Sequence, residues 1–72
     1  MKKLKKIKIK VNVKFKNITE TYKISDLVKD LKIPLKKVAI ELNQEIIDKK
    51  KISKIFLKKD DKIEIVHFIG GG

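Results

Sequence analysis

The stretch IKIKVNVKFK, residues 7–16, decides the fold class, because apolar and polar residues alternate along it one by one. A period of two places the apolar side chains on one face and mostly lysines on the other, which predicts β-strand. The pattern permits one long strand or two strands joined by a tight turn. Asn12 is the only turn-prone residue inside the stretch, so a turn would fall at Asn12-Val13.

A short amphipathic helix is predicted next. Its apolar stripe, at helical spacing, consists of Ile24, Leu27, Val28 and Leu31. We expect Ser25 to cap this helix, Asp26 to favour its first turn and Pro34 to stop it. Two turns of helix are not stable alone in water, so the helix must pack on a sheet.

Two further strands are predicted at residues 38–42 and 45–47, on either side of a turn at Asn43-Gln44. A polar loop follows at residues 48–51. The segment 52–57 has a mixed period and is interpreted as a single turn of helix or an irregular stretch that covers the core.

The last strand begins near Ile63, after a polar turn at residues 58–61. Both of its faces carry apolar residues, so we expect both to be partly buried. One helix cannot cover both faces of a sheet, so the sheet must curl around it, which places the chain in the α+β class.

Composition limits the chain to one small domain, because it has 72 residues. It contains no cysteine, which excludes disulfides and thiol chemistry. No signal segment or membrane span is visible, so the expected location is the cytoplasm, with no membrane partner.

The net charge of +11 comes from twenty lysines and no arginine, against nine acidic residues. Nucleic-acid binding is the obvious hypothesis, but it would need aromatic residues interleaved with basic ones on one face. The aromatic residues are scattered and mostly occupy core-like positions: Phe15, Tyr22, Phe56 and Phe68. A nucleic-acid partner is therefore not expected.

A conventional active site is not expected either. One histidine, His67, and two serines, Ser25 and Ser53, cannot supply a nucleophile, a base and an orienting group. His67 also has no second histidine or cysteine with which to hold a metal ion. We therefore predict no catalytic residues, no metal site and no bound cofactor.

The three glycines of the chain are its last three residues, Gly70, Gly71 and Gly72. We expect a flexible tail at 69–72, with the rest of residues 1–72 forming the domain. A tail without side chains can enter a narrow channel in another protein, and it ends in an unhindered carboxylate. Four extended residues reach about 13 Å.

The end of the chain, DKIEIVHFIGGG at residues 61–72, resembles the C-terminus of the ThiS family of thiamine-biosynthesis sulfur carriers. Residues 38–47, VAIELNQEII, resemble the middle strand, asparagine turn and return strand of that family. Where the family often has glycine before the last strand, this chain has Asp60, which must then adopt the glycine's turn conformation.

The resemblance implies a β-grasp fold, as in ubiquitin, and a carrier that is not itself an enzyme. A ThiF-type adenylyltransferase would use ATP and magnesium to adenylate Gly72. A cysteine desulfurase would supply sulfur to form a thiocarboxylate, which a ThiG-type thiazole synthase would consume. Gly70 and Gly71 would enter the partner's active site, and Phe68 and Ile69 would contact the partner.

Two alternatives stay open from the sequence. One is a sister carrier such as the small subunit of molybdopterin synthase, which also ends in Gly-Gly. The other is a small basic nucleic-acid-binding protein.

Overall fold

The computed structural model describes residues 4–68, which form one five-stranded sheet and one α-helix. The strands are β1 (Lys6–Val11), β2 (Lys14–Thr19), β3 (Val38–Leu42), β4 (Glu45–Ile46) and β5 (Lys62–His67), and the helix is α1 (Ile24–Asp30). The sheet order is β2-β1-β5-β3-β4, so the strand that comes last in sequence lies in the middle. The glycine tail at 69–72, which we expected to be flexible, lies outside the described residues.

The core lies between α1 and the inner face of the sheet. Strands β1 and β5 are parallel, and the other neighbouring pairs are antiparallel. The buried apolar residues come from every layer of this arrangement: Ile9, Val11, Ile18, Ile24, Leu27, Val38, Ile40, Ile52, Leu57 and Ile63. The α+β class is therefore confirmed, and the strand order agrees with the β-grasp arrangement that the resemblance implied.

The stretch 7–16 forms a hairpin with a two-residue turn, since Val11 pairs with Lys14. Asn12 takes the left-handed conformation that the turn requires, at φ 55°, and Val13 is spared it. The turn also shifts the alternation. Lys10 faces Phe15 across the two strands, so Phe15 lies on the outer face with the lysines and is 68% exposed. The expectation that Phe15 is a core residue was wrong, and the same expectation was wrong for Phe56 and Phe68, which are also exposed.

The start of α1 differs from the sequence prediction, because the N-cap is Lys23 and not Ser25. Lys23 is held in extended conformation by a β-bridge to Phe56, so the helix begins directly after it. The Asp26 carboxylate accepts a hydrogen bond from the Lys23 backbone N–H at 2.9 Å, which supplies the partner that Ser25 was expected to provide.

The end of α1 is set by backbone conformation before Pro34 is reached. Lys32 lies in the left-handed region at φ 53°. The N–H of Ile33 donates to the Val28 carbonyl at 3.0 Å, and that of Lys32 to the Lys29 carbonyl at 3.2 Å. These two bonds form a Schellman motif, with lysine where glycine is usual. Leu31 therefore caps the helix and is exposed, which corrects its place in the buried stripe.

The two polar turns around β3, β4 and β5 are confirmed. Asn43 and Gln44 both have positive φ, 51° and 73°, as a two-residue hairpin of this kind requires. Asp60 also takes the glycine-like conformation, with φ 67°.

The prediction of a polar loop at 48–51 was wrong, because a 3₁₀ helix, Lys49–Lys54, begins inside it. The Asp48 carboxylate caps this helix by accepting from the Lys50 N–H at 2.9 Å. The helix brings Ile52 into the core. A second short 3₁₀ helix, Leu35–Lys37, leads into β3. None of the helices in residues 4–68 has the length and apolar character needed to cross a membrane.

Candidate functional site

The candidate site lies at the end of the described residues, where the chain leaves β5 just before the glycine tail. Strand β5 pairs with β3 from Leu42–Ile63 through Val38–His67. One step further, the Phe68 N–H donates to the Lys37 carbonyl at 2.9 Å. The backbone is thus held in the sheet up to the residue that precedes Ile69, which fixes where the tail leaves the domain.

On its other side, β5 is paired with β1 only at Lys10–Lys62 and Val11–Ile63. Asn12 extends this pairing. Its backbone N–H donates to the Ile63 carbonyl at 2.8 Å, and its side-chain Oδ1 accepts from the Ile65 N–H at 2.8 Å. The turn residue therefore replaces the next rung of the ladder and holds β5 in register as the strand passes the hairpin.

Asn43 fixes the start of β5 in a similar way. Its Oδ1 accepts from the Lys62 N–H at 2.9 Å, and its Nδ2 donates to the Asp61 carboxylate at 3.0 Å. The same Asp61 carboxylate accepts from the Lys58 N–H at 2.8 Å, which closes the preceding turn. The two asparagines thus position the strand that carries the tail.

The outer face of the sheet next to the tail carries a group of apolar residues. We call this region the apolar half and define it by Ala39, Ile46, Val66 and Phe68. Val66 faces Ala39 across the sheet, and Val66, Phe68 and Ile46 are 45%, 57% and 76% exposed. The expectation that both faces of the last strand are partly buried was therefore wrong, since only the inner face carries core residues. The signal was present in the sequence: Val66 shares its side of the strand with Glu64.

Glu41 and Glu64 face each other on the same side of the sheet, and beyond them the outer face along β1 is basic. We call it the lysine half and define it by Lys6, Lys8, Lys10, Lys62 and Phe15. Lys10 and Lys62 are neighbours on adjacent strands. The ammonium groups of Lys8 and Lys10 lie 5.5 and 5.8 Å from the centre of the Phe15 ring, within the range of cation–π attraction. Asp60 is the single acidic residue that lines the adjoining groove of about 300 Å³.

The remaining sequence candidates do not form a second site. His67 is exposed at the end of β5, opposite Val38, and residues 4–68 contain no cluster of three or more histidine, cysteine or acidic residues that could hold a metal ion. Tyr22 donates a hydrogen bond to the Asp30 carboxylate. Burial, together with this bond, raises the pKa of Tyr22, which keeps the phenol neutral and ties the start of α1 to its end. The predicted site residues Ile69, Gly70, Gly71 and Gly72 lie outside the described part.

Comparisons with known proteins cover almost the whole chain. The model of the ThiS family matches residues 9–72. The sulfur carrier protein ThiS of Bacillus subtilis is 44% identical over 61 residues, which cover 85% of this chain and 89% of that protein. The crystal structure of the thiamine biosynthesis protein ThiS from Geobacter metallireducens superposes with a TM-score of 0.79 at 28% identity, and the match covers 92% of this chain and all of that one.

A second kind of relative is much longer. A protein named thiazole synthase, from Paramagnetospirillum magneticum, is 35% identical over 66 residues, which cover 92% of this chain and 20% of that protein. The thiazole synthase of Magnetococcus marinus matches to the same extent. The chain therefore spans about a fifth of the length of these two relatives. With the structural match, the comparisons confirm the β-grasp fold.

Proposed function

This chain belongs to the ThiS family and is accordingly a sulfur carrier for thiamine biosynthesis, not an enzyme, and we propose that it works through the carboxylate of its last residue, Gly72. The observation that carries the proposal is the family match, because it extends over residues 9–72 and so includes the glycine tail. The family resemblance assigns the carrier's chemistry to that tail.

The chemistry follows from what a terminal carboxylate can do. A carboxylate oxygen of Gly72 attacks the α-phosphorus of ATP in an adenylyltransferase of the ThiF type, and pyrophosphate leaves. The magnesium ion of that enzyme offsets the charge of the phosphates. A cysteine desulfurase takes sulfur from cysteine as a persulfide, whose terminal sulfur attacks the acyl carbon and displaces AMP. A thiol reductant then cleaves the S–S bond of the acyl disulfide, which leaves a thiocarboxylate on Gly72.

The glycines serve this chemistry because they have no side chains. Gly70 and Gly71 can pass a channel that a side chain would block, and the reach of residues 69–72, about 13 Å, is enough to bury the carboxylate in another protein. Since the Phe68 backbone is hydrogen-bonded to the Lys37 carbonyl, the tail starts from a fixed point. This fixed start lowers the entropy lost when the carboxylate is aligned with ATP.

The recipient of the sulfur is a thiazole synthase of the ThiG type. Two proteins with that name contain a region similar to this chain, which supports a working contact between a carrier of this kind and that enzyme. We propose that the apolar half, with Phe68 and the adjoining Ile69, is the surface that such partners cover, because exposed apolar patches beside a functional group mark interaction sites.

The test is to incubate the chain with its cognate adenylyltransferase, ATP and magnesium, and to weigh the product by mass spectrometry. We expect an adenylate at Gly72, and a terminal oxygen replaced by sulfur once the desulfurase, cysteine and a thiol reductant are added. One residue appended after Gly72 should nearly abolish both products, because it moves the carboxylate out of register. The matched control is the same residue appended before Met1, which should change neither product.

Equal activation of the two extended chains would show that Gly72 is not the reactive residue. If Gly72 is activated but its sulfur passes to molybdopterin synthase and not to thiazole synthase, the chemistry stands and the pathway is wrong.

A further inference from the structure

The lysine half has no role in the chemistry of the tail, and the fold does not require it. Four of its members, Lys6, Lys8, Lys10 and Lys62, project from neighbouring strands on the same side of the sheet. Like charges on adjacent strands repel one another, so the arrangement costs some stability. Because this repulsion is concentrated on one part of one face, we look for a function that the lysines serve there.

The lysine half and the apolar half lie on the same face and share β5. Along that strand Lys62 belongs to the lysine half and Val66 to the apolar half, and Glu64 lies between them on the same face. The two positions are about 13 Å apart at the usual rise of a strand. A protein large enough to cover the apolar half therefore comes within about one to two Debye lengths of the lysines at physiological salt. Its surface at that point must be electrostatically compatible with them.

We propose that the lysine half is a docking and steering surface for an acidic patch on the adenylyltransferase, beside the channel that admits the glycine tail. This inference rests on the proposed function and deepens it by naming the charge of the partner's surface. Complementary charge of this kind acts mainly on the association rate, raising it by about 10- to 1,000-fold.

The contacts of Phe15 favour a protein partner over a nucleic acid. Stacking of successive bases needs several aromatic rings, and Phe15 is the single aromatic residue of the lysine half, with the ammonium groups of Lys8 and Lys10 at 5.5 and 5.8 Å from its ring centre. In this position the ring gathers the two ammonium groups on the outer face, where carboxylates of a partner can reach them. Lysine also lacks the planar fork with which arginine reads bases and phosphates.

The experiment compares two triple variants of equal charge. The first carries Lys8→Gln, Lys10→Gln and Lys62→Gln in the lysine half. The second carries Lys29→Gln, Lys32→Gln and Lys54→Gln, three exposed lysines on α1, in the turn that ends it and on the longer 3₁₀ helix. Association with the cognate adenylyltransferase is followed by stopped flow, with a fluorophore on the N-terminus, at 50 and 500 mM salt.

The first variant should associate at least about tenfold more slowly than the native chain at 50 mM salt, and with a weaker dependence on salt. The second should stay within about threefold of the native rate, because its charges lie with the helices that cover the inner side of the sheet, opposite the outer face. Adenylate formation at saturating carrier should be unchanged in both. Equal losses in the two variants would show that net charge alone is at work, and no loss in either would also overturn the inference.

Two controls separate a nucleic-acid partner from a protein partner, and the docking surface from the chemistry of the tail. If a fluorescent 20-mer of deoxythymidine binds the lysine half more tightly than the adenylyltransferase does at the same salt, the surface serves nucleic acid and the inference is wrong. If the native chain associates as described but no adenylate forms at saturation, the proposed function fails while the docking surface stands. If adenylate forms and substitution of the lysines does not slow association, only the docking surface fails.

Discussion

On β5, Ile63 points into the core and is 1% exposed, whereas Phe68, just past the end of the same strand, faces outward and is more than half exposed. The inner face contributes to the free energy of folding, since its side chains are removed from water by α1 and the neighbouring strands. The outer face leaves apolar area in water, which contributes little to folding and is available for binding. One strand therefore serves two tasks, and substitutions on its two faces should separate them.

The largest effect is expected from the inner face. Ile63→Ala should lower the free energy of unfolding by about 2–5 kcal/mol, because it removes buried methyl groups and leaves a cavity against α1. Urea denaturation followed by circular dichroism measures this loss. At temperatures where the variant remains folded, its rate of adenylation at saturating carrier should equal that of the native chain. A fully folded Ile63→Ala chain that cannot be adenylated would break the separation of the two faces.

An intermediate effect is expected at Asn12, which contacts the backbone of β5 and neither of its faces. Asn12→Ala should cost about 1–3 kcal/mol, since it leaves the Ile65 N–H without its acceptor and forces alanine to adopt positive φ. Asn12→Gly is the matched control, because it accepts the positive φ and lacks only the side-chain bond. If glycine restores full stability, the hydrogen bond to Ile65 contributes nothing and the conformation alone matters.

The smallest effect on stability is expected from the outer face. Phe68→Ala should change the free energy of unfolding by no more than about 0.5 kcal/mol, because the ring is largely exposed. It should nevertheless weaken binding to the adenylyltransferase by about 1 kcal/mol or more, close to a tenfold loss, if the ring is a central contact. Calorimetric titration measures the affinity.

Phe56→Ala is the control for that substitution. Phe56 is also exposed, and a lysine ammonium lies 5.2 Å from its ring centre, against 5.3 Å for Phe68. The two phenylalanines thus differ mainly in where they lie on the molecule. Equal losses of affinity in both variants would rule out the apolar half as the specific contact surface.

The strands were predictable because each depends on a local period of two that tertiary packing preserves. The shape of the hairpin tip was less so. The alternation in IKIKVNVKFK continues through the turn, but the two-residue connection pairs Lys10 with Phe15, so the side chains of β2 point to opposite sides from those that an unbroken strand would give. The register of a hairpin depends on the length and type of its turn, and the period of the apolar residues does not contain that information.

The helix ends were missed for a related reason. Ser25 is a good capping residue, yet the start of α1 is set by the bridge between Lys23 and Phe56, a contact between distant parts of the chain. The location of the apolar half was accessible from the parity of Val66 and Glu64. The grouping of lysines beside it was not, since it requires the strand order, which brings β1 next to β5.

The position of β5 has a consequence for the kinetics of folding. This strand is made last and lies in the centre, so until it is in place the β1–β2 hairpin and the β3–β4 hairpin share no neighbour. Closing the sheet pairs Lys10 with Lys62, a contact of high sequence separation, and such contacts slow folding. Residues of the apolar half come from β3, β4 and the end of β5, so the surface exists only after that closure. An activating enzyme that requires both this surface and the tail would therefore select finished molecules and leave newly made, incomplete chains uncharged with sulfur.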